Sequence, residues 1–185
     1  RKTSRNIFVA FLLNLLFSII EFGGGIFTNS ISIISDSVHD VGDAISIVCV
    51  VLLIVLSAFF SATETAFSSV NTLHIKTYVD EKRKGARRAQ YVLDHFDRAL
   101  VGFLVGNNLV NIACTTICAY LFSSLIKNPT LANVLNTVIM TIIVLIFGEI
   151  LPKAVGKLSS EKFALKSSGI LFLLMKILTP VTLPF

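Results

Sequence analysis

The 185-residue chain has no tryptophan, four prolines, three cysteines and two methionines, and only 15% of its residues are charged. Each scarcity excludes something. Soluble proteins carry roughly 25% charged residues, so this chain cannot give a soluble domain of its length a polar skin. That removes an ordinary soluble enzyme and a disordered chain. The cysteines, Cys49, Cys114 and Cys118, are odd in number and all lie inside apolar runs, which excludes a disulfide framework. Cys114 and Cys118 share a helix face with no histidine between them and read as small apolar core residues. Ten glycines and four prolines are too few for collagen-like or low-complexity sequence. Without tryptophan, the interfacial aromatic positions fall to phenylalanine and tyrosine.

What is present is apolar: 54% of residues are hydrophobic, fifteen of them phenylalanine, and mean hydropathy is +0.82. The expected fold is an all-α, polytopic helical membrane protein. A crossing helix needs about 20 apolar residues, and charge-free runs supply about four. The first covers residues 6–20 and continues past Glu21 to Ser35; the others are expected at about 44–63, 99–126 and 129–150. Gly23, Gly24 and Gly25 permit either a helix end or a close helix contact. Asn128-Pro129-Thr130 marks a short turn. Residues 64–98 alternate basic and apolar side chains, which predicts one or two amphipathic basic helices on the membrane surface rather than a nucleic-acid patch. The tail, 161–185, predicts an interfacial helix broken by Pro180 and Pro184.

The net charge of +5 is sorted along the chain. Arg1, Lys2 and Arg5, the basic segment 64–98, and Lys153, Lys157, Lys162 and Lys166 all fall on one side of a four-span arrangement. The positive-inside rule makes that side cytoplasmic, with both termini there. Glu64 and Thr65 mark the cytoplasmic border, and His74 and His95 read as surface residues.

Two stretches carry metal-binding chemistry. In Ser35-Asp36-Ser37-Val38-His39-Asp40-Val41-Gly42-Asp43, His39 and Asp43 are spaced i,i+4 and share a helix face. They supply half of a tetrahedral zinc site. Residues 6–47, including Asn29-Ser30-Ile31-Ser32-Ile33-Ile34 ahead of that motif, resemble the start of a cation diffusion facilitator, a zinc/proton antiporter. The resemblance implies metal binding by His39 and Asp43, with the other half-site on a later span for which this chain has no counterpart.

The second stretch is spread over three spans. Ser57 and Ser61 are i,i+4, Asn107 and Asn111 repeat the spacing with Asn108 beside them, and Glu149 ends a charge-free run. Pro152 has no N–H to bond the carbonyl of Gly148, which frees an oxygen. Hydroxyl, amide, carbonyl and carboxylate oxygens suit a hard cation, and the absence of thiol and imidazole disfavours zinc. The expected metal ligands are therefore Ser57, Ser61, Asn107, Asn108, Asn111, Gly148 and Glu149, with His39 and Asp43 as the alternative pair. Leu56-Ser57-Ala58-Phe59-Phe60-Ser61-Ala62-Thr63-Glu64, Gly106-Asn107-Asn108-Leu109-Val110-Asn111 and Phe147-Gly148-Glu149-Ile150-Leu151-Pro152-Lys153 resemble, in order, the membrane domain of the CNNM/CorC proteins linked to magnesium and cobalt transport. That resemblance covers 48–185. It implies Mg²⁺ as the ion, a homodimer with one site per protomer, and the tail helix as a cytoplasmic belt. The nucleotide-binding CBS domains usual in that family have no counterpart here, so no nucleotide is expected.

The two resemblances meet in one apolar run. A helix from Ile31 to Phe67 would be about 55 Å long, against a hydrocarbon core of about 30 Å. The run 44–63 fits the bilayer, which leaves His39 and Asp43 near the external interface. The expectation is divalent cation transport, most directly of Mg²⁺ with Co²⁺ as a variant. The alternatives are a Zn²⁺ or Mn²⁺ antiporter fragment using His39 and Asp43, or a non-transporting membrane scaffold. No nucleophile–base pair or phosphate loop suggests an enzyme.

Overall fold

The computed structural model describes the backbone of residues 2–182 and the side chains of residues 12, 13 and 15–177. The described residues are helical with short connections and no strand, as the composition requires of a chain whose backbone must satisfy itself inside lipid. The first two helices, α1 (Lys2–Thr28) and α2 (Ile31–Ser69), form a hairpin. Asn29 turns the chain in the left-handed region at φ 48°. The N–H groups of Asn29 and Ser30 close back on the carbonyls of Ile26 and Gly25, as in a Schellman turn. The three glycines do not end α1. At Gly25 the hairpin closes tightly: a Cβ there would lie 2.7 Å from Ile34 Cγ1.

Helix α2 is one rod of 39 residues, about 58 Å at 1.5 Å per residue. It runs through Asp43 and through Glu64, where the charge pattern placed the edges of a span. Polarity decides where a helix leaves lipid; the i→i+4 ladder does not stop there. The basic segment is therefore shorter than 64–98 and consists of α3 (Thr72–Asp80) and α4 (Ala86–Asp94).

Helix α5 (Phe96–Leu125) returns antiparallel to α2. The register is set by Phe67 against Phe103, 6.4 Å between centroids, by Ser57 against Asn107 and Asn111, and by His39 against Tyr120 at 6.3 Å. Asn128 caps α6 (Pro129–Ile143) by accepting from the N–H groups of Thr130 and Leu131, and Pro129 occupies the first turn, where its missing N–H costs nothing.

The last long rod does not end at 150. Helix α6 widens into a π-helical segment, Val144–Ile150, and continues as α7 (Leu151–Leu158) through Pro152. The Leu151 N–H reaches back five residues to the Ile146 carbonyl. The widened turn accommodates the proline without breaking the rod, and π turns of this kind concentrate at functional sites.

Helix α8 (Ser160–Thr182) packs on α4, α2 and α5. It runs past Pro180 rather than breaking there, and Pro184 lies outside the described residues. Phe60, Phe67, Ile75, Val92, Phe103, Ala164 and Leu171 form one core that ties α3, α4 and α8 to the C-terminal end of α2 and the N-terminal end of α5. A smaller cluster, Cys114, Cys118 and Met140, joins α5 to α6; both cysteines are buried and free.

Among the described residues three helices are long and apolar enough to cross a membrane: Ile31–Ser69, Phe96–Leu125 and the continuous rod Pro129–Leu158. The described part of α1 adds a shorter apolar stretch, Leu15–Thr28, where the sequence suggested a fourth span.

Candidate metal-ion site

The i,i+4 spacing of Ser57 with Ser61, and of Asn107 with Asn111, places each pair on one helix face, and the α2–α5 register brings the faces together. Ser57 Oγ lies 2.9 Å from Asn107 Oδ1 and 2.7 Å from Asn111 Oδ1. Ser57 is buried at 1% exposure and Ser61 at 0%. A hydroxyl has one proton to donate, so two amide oxygens compete for it. The cluster therefore holds more lone pairs than protons. One turn along α2, the buried Ser61 Oγ has no hydrogen-bond partner among the described residues.

The π segment closes the third side. Gly148 is buried, and a Cβ on it would stand 2.9 Å from Ser57 Oγ. Glu149 follows, half-buried, its carboxylate 4.0 Å from Lys153 Nζ one turn on. Close approach by the rod Pro129–Leu158 is repeated at Gly156, where a Cβ would run into the backbone carbonyl of Ala62. On the far side of the cluster, Gly106 faces the Phe60 ring at 2.8 Å from a hypothetical Cβ.

The structure thus brings together Ser57, Asn107, Asn111 and Gly148, with Ser61 one turn away and Glu149 adjacent in the chain. It does not bring in Asn108, which is exposed; one residue is about 100° of helix rotation from Asn107. His39 is exposed and edge-on to Tyr120. Asp43 is half-buried, with one carboxylate oxygen buried and without a hydrogen-bond partner among the described residues. Ser57 is 18 positions beyond His39 on the same rod, about 27 Å, so the two stretches cannot share one ion. Among the described residues no group of three or more histidine, cysteine or carboxylate side chains converges.

Sequence reasoning missed two features. Asn136 on α6 is 8% exposed and donates to the Thr115 carbonyl at 3.4 Å, and its own oxygen has no hydrogen-bond partner among the described residues. The spacing of Thr115, four residues after Asn111, was the available signal. Gly156 was the other, eight residues after Gly148 and on the same face.

On the basic side, Glu161 at the start of α8 ties down α3. Its oxygens lie 2.5 Å from His74 Nδ1 and 2.6 Å from the Tyr78 hydroxyl, which donates to it. The Tyr78 hydrogen bond, then that of His74, holds the Glu161 carboxyl below its ordinary value. The same bond to Glu161 raises Tyr78.

Comparison with known proteins matches these features to two families. The cation efflux transmembrane domain matches residues 7–66. The Cyclin M transmembrane N-terminal domain matches residues 48–185, so both patterns run through the middle of α2. Among curated relatives, a UPF0053 protein of Haemophilus influenzae is 34% identical over 72% of this chain and 31% of its own length. The UPF0053 inner membrane protein YfjD of Escherichia coli is 32% identical over 68% of this chain and 29% of its own length. The UPF0053 protein MG146 of Mycoplasma genitalium is 29% identical over 74% of this chain and 33% of its own length. The chain spans about a third of the length of these relatives. With the Cyclin M match covering all three oxygen-bearing motifs, the chain belongs to the CNNM family through its transmembrane domain.

Proposed function

We propose that this chain carries a divalent cation, Mg²⁺ in the first place, across the membrane through the oxygen cluster between α2, α5 and the π segment. The observation that carries the reading is the pair of amide oxygens at 2.9 and 2.7 Å from one buried hydroxyl. A surplus of oxygen lone pairs at the meeting point of three spans is what a hard cation recruits in place of its hydration water. Ser57, Asn107 and Asn111 form the neutral part of the site, Ser61 adds a free hydroxyl, and Glu149 supplies the negative charge. Co²⁺ accepts oxygen ligands too and is the expected second substrate. Zn²⁺ at His39 and Asp43 has weaker support, since two ligands are half of what zinc takes.

The basic α3–α4 side faces the cytoplasm in this reading, with a homodimer as the working unit. The test is thermal stabilisation of the purified chain by Mg²⁺. The parent shifts upward with Mg²⁺ and Asn111→Leu does not. An unchanged shift in both Asn111→Leu and Glu149→Ala would overturn the site.

A further inference from the structure

Beyond the cation site, the turn between α3 and α4 forms a groove of about 380 Å³, lined by Val79, Lys82, Arg83, Lys84, Arg87 and Arg88 together with Gly85. We propose that this groove binds the phosphate of an anionic lipid headgroup from the adjoining leaflet.

Five cationic side chains fall within seven consecutive positions, 82–88, and all five are exposed. Arg83 is already engaged: it pairs with Glu81 at 2.6 Å and lies over the Tyr78 ring at 4.1 Å. Lys82, Lys84, Arg87 and Arg88 have no ion pair among the described residues. The first turn of α4 opens at Ala86, so its backbone N–H dipoles add to the same field.

The backbone supplies an independent sign that the side chains are used. Helix α3 ends in a Schellman turn: the Arg83 N–H bonds the Tyr78 carbonyl, and the Lys82 N–H bonds that of Val79. Its left-handed position, normally glycine and sometimes asparagine, holds Lys82 at φ 55°. The matching turn after α1 uses Asn29. A lysine there costs backbone free energy that glycine avoids, and strained non-glycine residues of this kind gather at ligand-binding positions. The cost is met at a position that lines the groove.

A lipid is favoured over a free anion by what borders the groove. Arg88 lies against α8 at Gly169, its Nη1 3.2 Å from where a Cβ would sit. The next residue, Ile170, begins an exposed apolar row with Leu173 and Ile177, spaced to share a helix face. A headgroup phosphate in the groove would have its acyl chains beside that row, and basic clusters just outside a span attract anionic lipid.

The experiment uses the full chain in nanodiscs of mixed phosphatidylcholine and phosphatidylglycerol, with lipids retained on release counted by native mass spectrometry. The parent retains phosphatidylglycerol over phosphatidylcholine. Lys82→Gly relieves the backbone strain, so its melting temperature is equal or higher while phosphatidylglycerol retention falls at least threefold. Arg87→Gln gives a similar loss. Unchanged retention in both variants, or no preference in the parent, would overturn the proposal. So would displacement of the bound lipid by millimolar inorganic phosphate, which would make the groove a site for the free anion. None of these outcomes depends on Mg²⁺ binding, so failure here is separate from failure at the cation site.

Discussion

Gly148 and Ser57 touch where the π segment crosses α2: a Cβ on the glycine would come within 2.9 Å of the serine hydroxyl. The contact places the backbone of one rod against the group that organises the α2–α5 interface. Gly148→Ala therefore has to displace Ser57 from Asn107 and Asn111. Overpacking of this kind costs about 1–3 kcal/mol. The expected result is a lower melting temperature together with a loss of the Mg²⁺-induced shift, read by thermal unfolding with and without the ion.

Asn111 separates packing from ion binding through two substitutions of opposite sign. Asn111→Leu leaves the buried Ser57 hydroxyl with one acceptor instead of two, a change of about 1 kcal/mol in stability, and abolishes Mg²⁺ stabilisation. Asn111→Asp keeps the ligating oxygen, replaces the amide nitrogen with a second oxygen and adds a charge, so Mg²⁺ stabilisation is retained or increased at neutral pH. If both variants lose the shift equally, Asn111 serves to hold helices together.

Two glycines should respond in opposite directions to alanine. Gly156→Ala drives a methyl into the carbonyl of Ala62. Backbone cannot rotate aside as a side chain can, so the cost lies toward the upper end of about 1–3 kcal/mol. Gly23 has nothing within 4 Å of a built Cβ and sits inside α1. Gly23→Ala should stabilise by about 0.5–1 kcal/mol through backbone entropy. Melting temperatures of the two variants against the parent decide it.

The Glu161 contacts give the basic side a defined pH window. Glu161 is depressed from its ordinary 4.5 by the Tyr78 and His74 hydrogen bonds. Its contribution is complete above that ordinary value and is lost as pH falls through the lowered folded value. Tyr78, raised from 10.0 by its bond to Glu161, contributes below that ordinary value and stops doing so as pH rises through the raised folded one. Amide protection factors in α3 and the start of α8, with the intrinsic pH dependence of exchange divided out, should therefore be highest between these limits and lower at each end. In Glu161→Gln the acid limb should flatten; an unaltered acid limb would remove Glu161 as its origin.

The membrane class was legible because it depends on composition, which folding does not change. The meeting of the oxygen-bearing faces was legible too, because i,i+4 spacing fixes a face before any tertiary contact forms. Ser57, Asn107 and Asn111 met as their spacing implied, whereas Asn108 was included by adjacency and faces elsewhere. The lengths of the rods were not legible. Asp43 and Glu64 mark changes of environment, and the hydrogen-bond ladder of α2 runs through both. Pro152 signalled a disturbed ladder, but only the structure shows that a wide turn absorbs it. Glu161 is more than 80 positions from both His74 and Tyr78, and no local pattern announces contacts between such distant residues.

The seven residues from Val144 to Ile150 have a consequence for the phase of the rod that contains them. A wide turn holds one residue more than an α turn, and each residue advances a helix by about 100°. Everything beyond Ile150 is therefore aimed about one residue-step away from where an uninterrupted α-helix would point it. Gly156 meets Ala62, and Lys153 comes beside Glu149, on a face defined by that offset. The rod Pro129–Leu158 is two screws of the same hand joined out of step, with Gly148 at the joint.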